Sequence, residues 1–195
     1  TVDLTTGVSA FNRAEGAGAN ANGRLTLRQF LVEENLTSNL ALATGHLHLH
    51  EVRIRSTAPA RRPVRGLQLI GGALEGDHVV IEGSDELGVL VMSSATATLS
   101  DSLIRDTRIM PAAPSASGFH VQDGGTATLT RSVLEDNDVL ALSARGAPTS
   151  ARLEDCVIRR TRAVHELPPD RSGGRGVEAA NGASVTLRRT LLADS

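Results

Sequence analysis

The chain repeats itself, and that self-similarity limits the folds open to it more than any other feature. Gly88 to Thr107, GVLVMSSATATLSDSLIRDT, aligns without a gap on Gly118 to Asn137, GFHVQDGGTATLTRSVLEDN, at an offset of 30, and Gly176 to Ser195 is a third copy. Weaker copies begin at Leu25, Leu47, Ala73 and Ala151. Placing each on a central leucine gives Leu27, Leu49, Leu74, Leu99, Leu129, Leu153 and Leu187, with steps of 22, 25, 25, 30, 24 and 34 residues. A minimum step with variable excess is the pattern of a solenoid whose coils carry loop insertions.

Inside each copy the spacing is two, which selects strands over helices. Small or apolar residues lie two before the leucine: Leu25, Leu47, Ala97, Ala127, Ala151 and Val185. Five after it runs an aliphatic column, Val32, Ile54, Val79, Ile104, Leu134, Ile158 and Leu192. Ser102, Ser132, Cys156 and Thr190 lie three after it, and Asn35, Thr57, Thr107, Asn137, Thr161 and Ser195 eight after it. Short polar side chains at that last position can hydrogen-bond to their counterparts in the next coil. A single coil leaves its apolar interior in water, and stacking removes it.

The pattern GVxV...TLxxSxIxDN resembles the pectate-lyase-like superfamily of right-handed parallel β-helices, especially the loosely repetitive ones common in bacterial secreted and surface proteins. That resemblance implies one all-β domain over 1–195 with about seven to eight coils, least regular over 1–23, and an extracellular or cell-surface location. The ends, TVDLTTG and LLADS, read as the edges of a piece cut from a longer chain. Function is left open, because the fold carries lyases, hydrolases, epimerases, adhesins and spacers.

Composition narrows the field. A net charge of -2 and a pI near 6.3 give no basic footprint for nucleic acid. Three phenylalanines, with no tyrosine or tryptophan, leave few platforms for stacking sugar rings or bases. No apolar run is long enough for a helical membrane span. Cys156 is the single cysteine and shares its slot with serines and a threonine, which reads as an inert core thiol.

Three outward features carry candidate chemistry. His46, His48 and His50 would line one strand face, with Glu75 of the next coil assisting at His50 as ligands for zinc. Arg24 and Arg28 of the preceding coil count against a cation there. The columns Asp101, Arg131, Asp155, Arg189 and Arg105, Glu135, Arg159 alternate in sign, as a salt ladder does. Carboxylates and arginine also equip polysaccharide lyases, for which the resemblance implies calcium, but interleaved signs neutralise each other. Thr96 with Thr98, Thr126 with Thr128 and Ser184 with Thr186 resemble ice-binding arrays, interrupted by Arg152 and His46.

Three insertions, 58–65, 108–117 and 162–175, leave from one corner in this register. Near them His120, Asp123, His165 and Glu166, with Asp170 and Arg171, make the one acid-base set the sequence offers. Three readings follow. The first is a non-enzymatic rigid scaffold, adhesin or ligand-binding surface; the second a polysaccharide lyase or glycoside hydrolase; the third a metal- or ice-binding solenoid. The partner expected is a polysaccharide or another surface protein, and free strand edges at the coil ends favour end-to-end self-association.

Overall fold

The computed structural model describes residues 2–10, 15–19, 23–33, 38–56, 64–110, 116–164 and 174–194, with side chains from Gly23 onward. Its first coils hold β1 (Val2–Ala10), β2 (Glu15–Ala19), β3 (Arg24–Glu33) and β4 (Ser38–Leu42). Next come β5 (His46–His50), β6 (Arg53–Arg55), β7 (Arg65–Ile70), β8 (Ala73–Asp77), β9 (Val80–Glu82) and β10 (Leu87–Met92). The best-conforming copies give β11 (Thr96–Ser100), β12 (Leu103–Arg105), β13 (Ser117–Gln122), β14 (Thr126–Thr130), β15 (Val133–Glu135) and β16 (Leu140–Arg145). The last are β17 (Ser150–Glu154), β18 (Val157–Arg159), β19 (Arg175–Ala180), β20 (Ser184–Arg188) and β21 (Leu191–Ala193).

Every pairing is parallel and joins a strand to its counterpart one coil away, so the described residues form a parallel β-helix with three faces. Face one stacks β1, the first half of β3, β5, β8, β11, β14, β17 and β20. Face two continues from the second half of β3 through β6, β9, β12, β15, β18 and β21. Face three runs β2, β4, β7, β10, β13, β16, β19.

The chain turns from face one to face two at one left-handed residue per coil: Gln29, Glu51, His78, Asp101, Arg131, Asp155 and Arg189, all with φ between 46 and 56°. Such a conformation costs a residue with a Cβ some energy. It is offset here because the bend keeps its place in the ladder. Glu51 N–H donates to Asp77 O at 3.1 Å, His78 N–H to Ser100 O at 3.1 Å and Arg131 N–H to Glu154 O at 2.9 Å. A pair of left-handed residues, such as Ser93–Ser94, Asp123–Gly124 or Asn181–Gly182, turns the chain from face three to the next coil.

Alternation along the strands puts the apolar columns inside. Ile104, Leu134 and Ile158 pair in one contiguous, fully buried stack. Leu99, Leu129 and Leu153 form a second, and Val89, Phe119 and Leu142 a third from face three. Each such side chain contributes about 2 kcal/mol by leaving water.

The register departs from the sequence expectation in one coil. Gly76, not Leu74, lies between Leu49 and Leu99, and Leu74 belongs to the column of Leu47 and Ala97. With it, Ile81 replaces Val79 between Ile54 and Ile104. The bend decides this: His78 has to follow Gly76 by two residues, as Asp101 follows Leu99. Leu99 Cδ2 occupies the space over Gly76, 2.6 Å from where a Cβ would stand. A further face-three strand, β16, has Ala141 where its neighbours Gly118 and Gly176 have glycine.

Candidate functional site

Two outward regions gather chemistry-bearing side chains. On face three, His120 of β13 lies between Leu90 of β10 and Ser143 of β16, with Gln68 and Glu178 one rung beyond them. A cavity of about 270 Å³ opens there, with Arg65, Glu86, His120, Gln122, Ser143 and Arg145 in its wall. His120 Nε2 donates to Gln122 Oε1 at 2.9 Å, and Gln122 Nε2 donates to Asp123 Oδ2 at 3.0 Å. Burial holds the imidazole below its ordinary 6.5, more than the Gln122 hydrogen bond raises it, and Arg145 adds to the depression. His120 is therefore neutral at pH 7.

Asp123 reaches His120 only through an amide, which passes no charge, and Asp123 itself is a turn residue at φ 51°. Glu86 is paired with Arg65 at 3.1 Å, and Glu178 with Arg145 at 2.6 Å and Arg175 at 2.9 Å. The Ser143 hydroxyl is buried and has no hydrogen-bond partner among the described residues. His165, Glu166, Asp170 and Arg171, with most of the three insertions, lie outside the described residues.

On face one the histidines alternate as expected, with Leu47 and Leu49 turned inward and fully buried. Their neighbours differ from the expectation because of the shifted coil. His46 lies beside Arg24 and Ala73, His48 beside Thr26 and Glu75, and His50 beside Arg28 and Asp77. Glu75 is thus a partner of His48, at 3.2 Å from its Nδ1, and not of His50. The His48 Nε2 atom is buried and unpaired among the described residues. His50 Nδ1 stands 2.7 Å from Asp77 Oδ2, and His78 Nδ1 stands 3.0 Å from that same oxygen. His48, His50, Glu75, Asp77, Arg28 and Ser100 border an open depression of about 370 Å³. Asp77 and His78 escape the sequence reading because the false leucine anchor displaces them by two positions. A bend residue two after the true anchor would have located them.

The remaining charges are tied between rungs. Arg131 donates two hydrogen bonds to Asp101, at 2.8 and 2.6 Å, and Arg189 two to Asp155, at 2.6 and 2.8 Å. Glu82 accepts from both Arg53 and Arg105, and Glu135 from Arg159 and Arg160. The hydrogen bonds from Arg131 and Arg189 hold Asp101 and Asp155 below the usual carboxylate range. Calcium takes six to eight oxygens, several of them carboxylate. Among the described residues Asp101, Asp155, Glu82 and Glu135 face arginines instead of one another, so they do not fit such an ion. Cys156 is buried in the slot of Ser102 and Ser132, and burial pushes its thiol up. Thr96–Thr126 and Thr98–Thr128 do pair, and Arg152 ends the row on one side and Glu75 interrupts it on the other.

No protein-family model matches the chain, and neither does any curated protein sequence. Among solved structures, the crystal structure of pectate lyase Pel9A superposes with a TM-score of 0.53 at 12% sequence identity, over 97% of this chain and 51% of that one. The fold is thus a parallel β-helix similar to that of this pectate lyase, and the chain spans about half the length of that neighbour. No helix among the described residues is long and apolar enough to cross a membrane.

Proposed function

We propose that this chain is a secreted or cell-surface β-helix that works as a rigid scaffold and presents a polar binding face to a polysaccharide or another surface protein. One observation carries the reading: arginine and carboxylate columns brace successive rungs on the outer surface, from Arg53–Glu82–Arg105 to Glu135–Arg159 and Asp155–Arg189. Such bracing rigidifies a surface. It also consumes the carboxylates that general acid-base or calcium chemistry on a sugar would need.

A second reading, a lyase or hydrolase acting on polysaccharide, is favoured by the face-three cavity, where the neutral His120 sits near Arg65 and Arg145. Incubation with acidic and neutral polysaccharides, with and without calcium, separates the two. The scaffold reading expects retention on a polysaccharide or surface-protein array without new reducing ends or unsaturated products. Turnover that disappears in His120→Ala would replace it by the enzymatic one.

A further inference from the structure

The His50, Asp77, His78 cluster lies at the bend between faces one and two, built from two neighbouring coils. His50 ends β5, Asp77 ends β8 directly across from it, and His78 is the left-handed bend residue that follows. One nitrogen from each imidazole and one oxygen from the carboxylate all lie within 4.8 Å of one another. The two separations, 2.7 and 3.0 Å, converge on the single oxygen Asp77 Oδ2. A tetrahedral zinc ion with bonds of about 2.0–2.1 Å spaces its ligand atoms about 3.3 Å apart. The two carboxylate–imidazole separations reach that spacing by opening three to six tenths of an ångström.

We propose that His50, Asp77 and His78 form a binding site for a divalent transition-metal ion of the zinc and nickel type. Two imidazoles and one carboxylate suit such ions and not the all-oxygen sphere of calcium or magnesium. All three ligands are partly or well exposed, so an ion enters from solvent and keeps water in its remaining positions.

The surroundings support the assignment. If Nδ1 of His50 binds the ion, its proton resides on Nε2, and Nε2 lies 3.8 Å from Glu51 Oε1. That carboxylate is beyond hydrogen-bond distance, and its charge favours the proton on Nε2. Along the bend column His78 lies between two carboxylates, Glu51 and Asp101, which offset part of a bound ion's charge. Arg28 opposes a cation, but it borders His50 on the side away from Asp77. The site differs from a strip of three histidines on one strand: His46 takes no part in it.

Calorimetric titration of the chain with zinc chloride, and cobalt(II) absorption in the visible range, test the proposal. The expected result is one ion per chain with a ligand-field band from cobalt. His78→Ala and Asp77→Asn should each weaken binding about tenfold or more, and His46→Ala should leave it unchanged. His78→Asn, whose backbone tolerates the left-handed bend, repeats the test with circular dichroism confirming the fold. Absence of both heat and band in the folded protein would overturn the assignment. So would equal loss in His46→Ala, which places the ion on the strand instead of at the bend.

Discussion

Asn137 accepts the backbone N–H of Thr107 through its Oδ1 at 3.1 Å, and donates from Nδ2 to the carbonyl of Ile104 at 3.2 Å. Both contacts cross from one coil to the preceding one, and Asn137 and Thr107 are fully buried. Asn137→Ala leaves the Thr107 N–H without its acceptor in a dry corner, and the expected loss is about 1–3 kcal/mol. Urea denaturation of the two proteins measures it. A change below a few tenths would mean that this ladder is dispensable.

The same corner demands the absence of a side chain on face three. A Cβ on Gly118 would lie 2.7 Å from Asn137 Nδ2 and 3.0 Å from Ala141 O, and one on Gly88 only 2.4 Å from Gly118 O. A backbone carbonyl held in a parallel ladder has nowhere to go, so Gly88→Ala should cost about 3 kcal/mol by overpacking. Thermal unfolding of Gly88→Ala should show a lower midpoint than that of Gly146→Ser, whose Cβ meets nothing within 4 Å. Gly146 is itself left-handed at φ 79°, so that comparison also asks whether collision outweighs backbone strain.

Acid should loosen the braces with a definite sign. Burial alone would raise the Glu82 carboxyl, but the hydrogen bonds and charges of Arg105 and Arg53 outweigh it and hold the group below its ordinary 4.5. The unfolded chain therefore takes up that proton more readily than the folded one. The stabilisation is complete above pH 4.5 and disappears as the pH falls through the lower, folded value. Asp77 and Asp136 act in the same direction. At neutral pH Glu82→Gln should cost about 1 kcal/mol, discounted for the exposure of its arginine partners. Between about pH 5 and 3 its melting temperature should fall less steeply than that of the wild type. Parallel curves would exclude Glu82 as a source of the acid sensitivity.

Cys156 should be silent toward thiol reagents in the native state. It is 2% exposed, its Sγ donates to Leu129 O at 3.4 Å and to Glu154 O at 3.3 Å, and its thiolate is disfavoured by burial. Labelling with an aromatic disulfide at pH 8 should become complete only in denaturant. Cys156→Ser should cost less than about 1 kcal/mol, because Ser102 and Ser132 make equivalent carbonyl bonds in the same slot.

His120 should titrate below 6.5 when its ring protons are followed by nuclear magnetic resonance, because burial disfavours the imidazolium. A midpoint at or above 6.5 would mean that the face-three cavity is wetter than its geometry implies.

The solenoid was legible because Leu99, Leu129 and Leu153 and the column Ile104, Leu134, Ile158 recur with nearly the same local sequence, and they do stack. Where the copies degrade, sequence similarity misleads. Leu74 imitates an anchor, whereas hydrogen bonding aligns the left-handed bend at His78 with those at Glu51 and Asp101, a constraint no hydrophobic pattern encodes. The strand Leu140–Arg145 carries Ala141 where the copies opening at Gly88, Gly118 and Gly176 have glycine, so its sequence does not mark it as a counterpart of theirs. The pairing of His48 with Glu75, and of His50 with Asp77 and His78, depends on that shifted coil. So does the distinction between a histidine strip and a bend cluster.

The corner joining faces two and three links Glu82 to Leu87 and Glu135 to Leu140 directly, yet takes far longer segments from Arg105 to Ser117 and from Arg159 to Arg175. Register on either side is unaffected, since Arg105 still pairs with Glu135 and Arg145 with Ala180. Lengthening a flexible connection adds only a slowly growing entropic cost. Foreign peptides spliced between Asp138 and Val139, past the buried Asn137 and where the longer segments enter the neighbouring coils, should thus be displayed without disturbing the stacked framework, which makes this edge a natural place to graft new recognition onto the molecule.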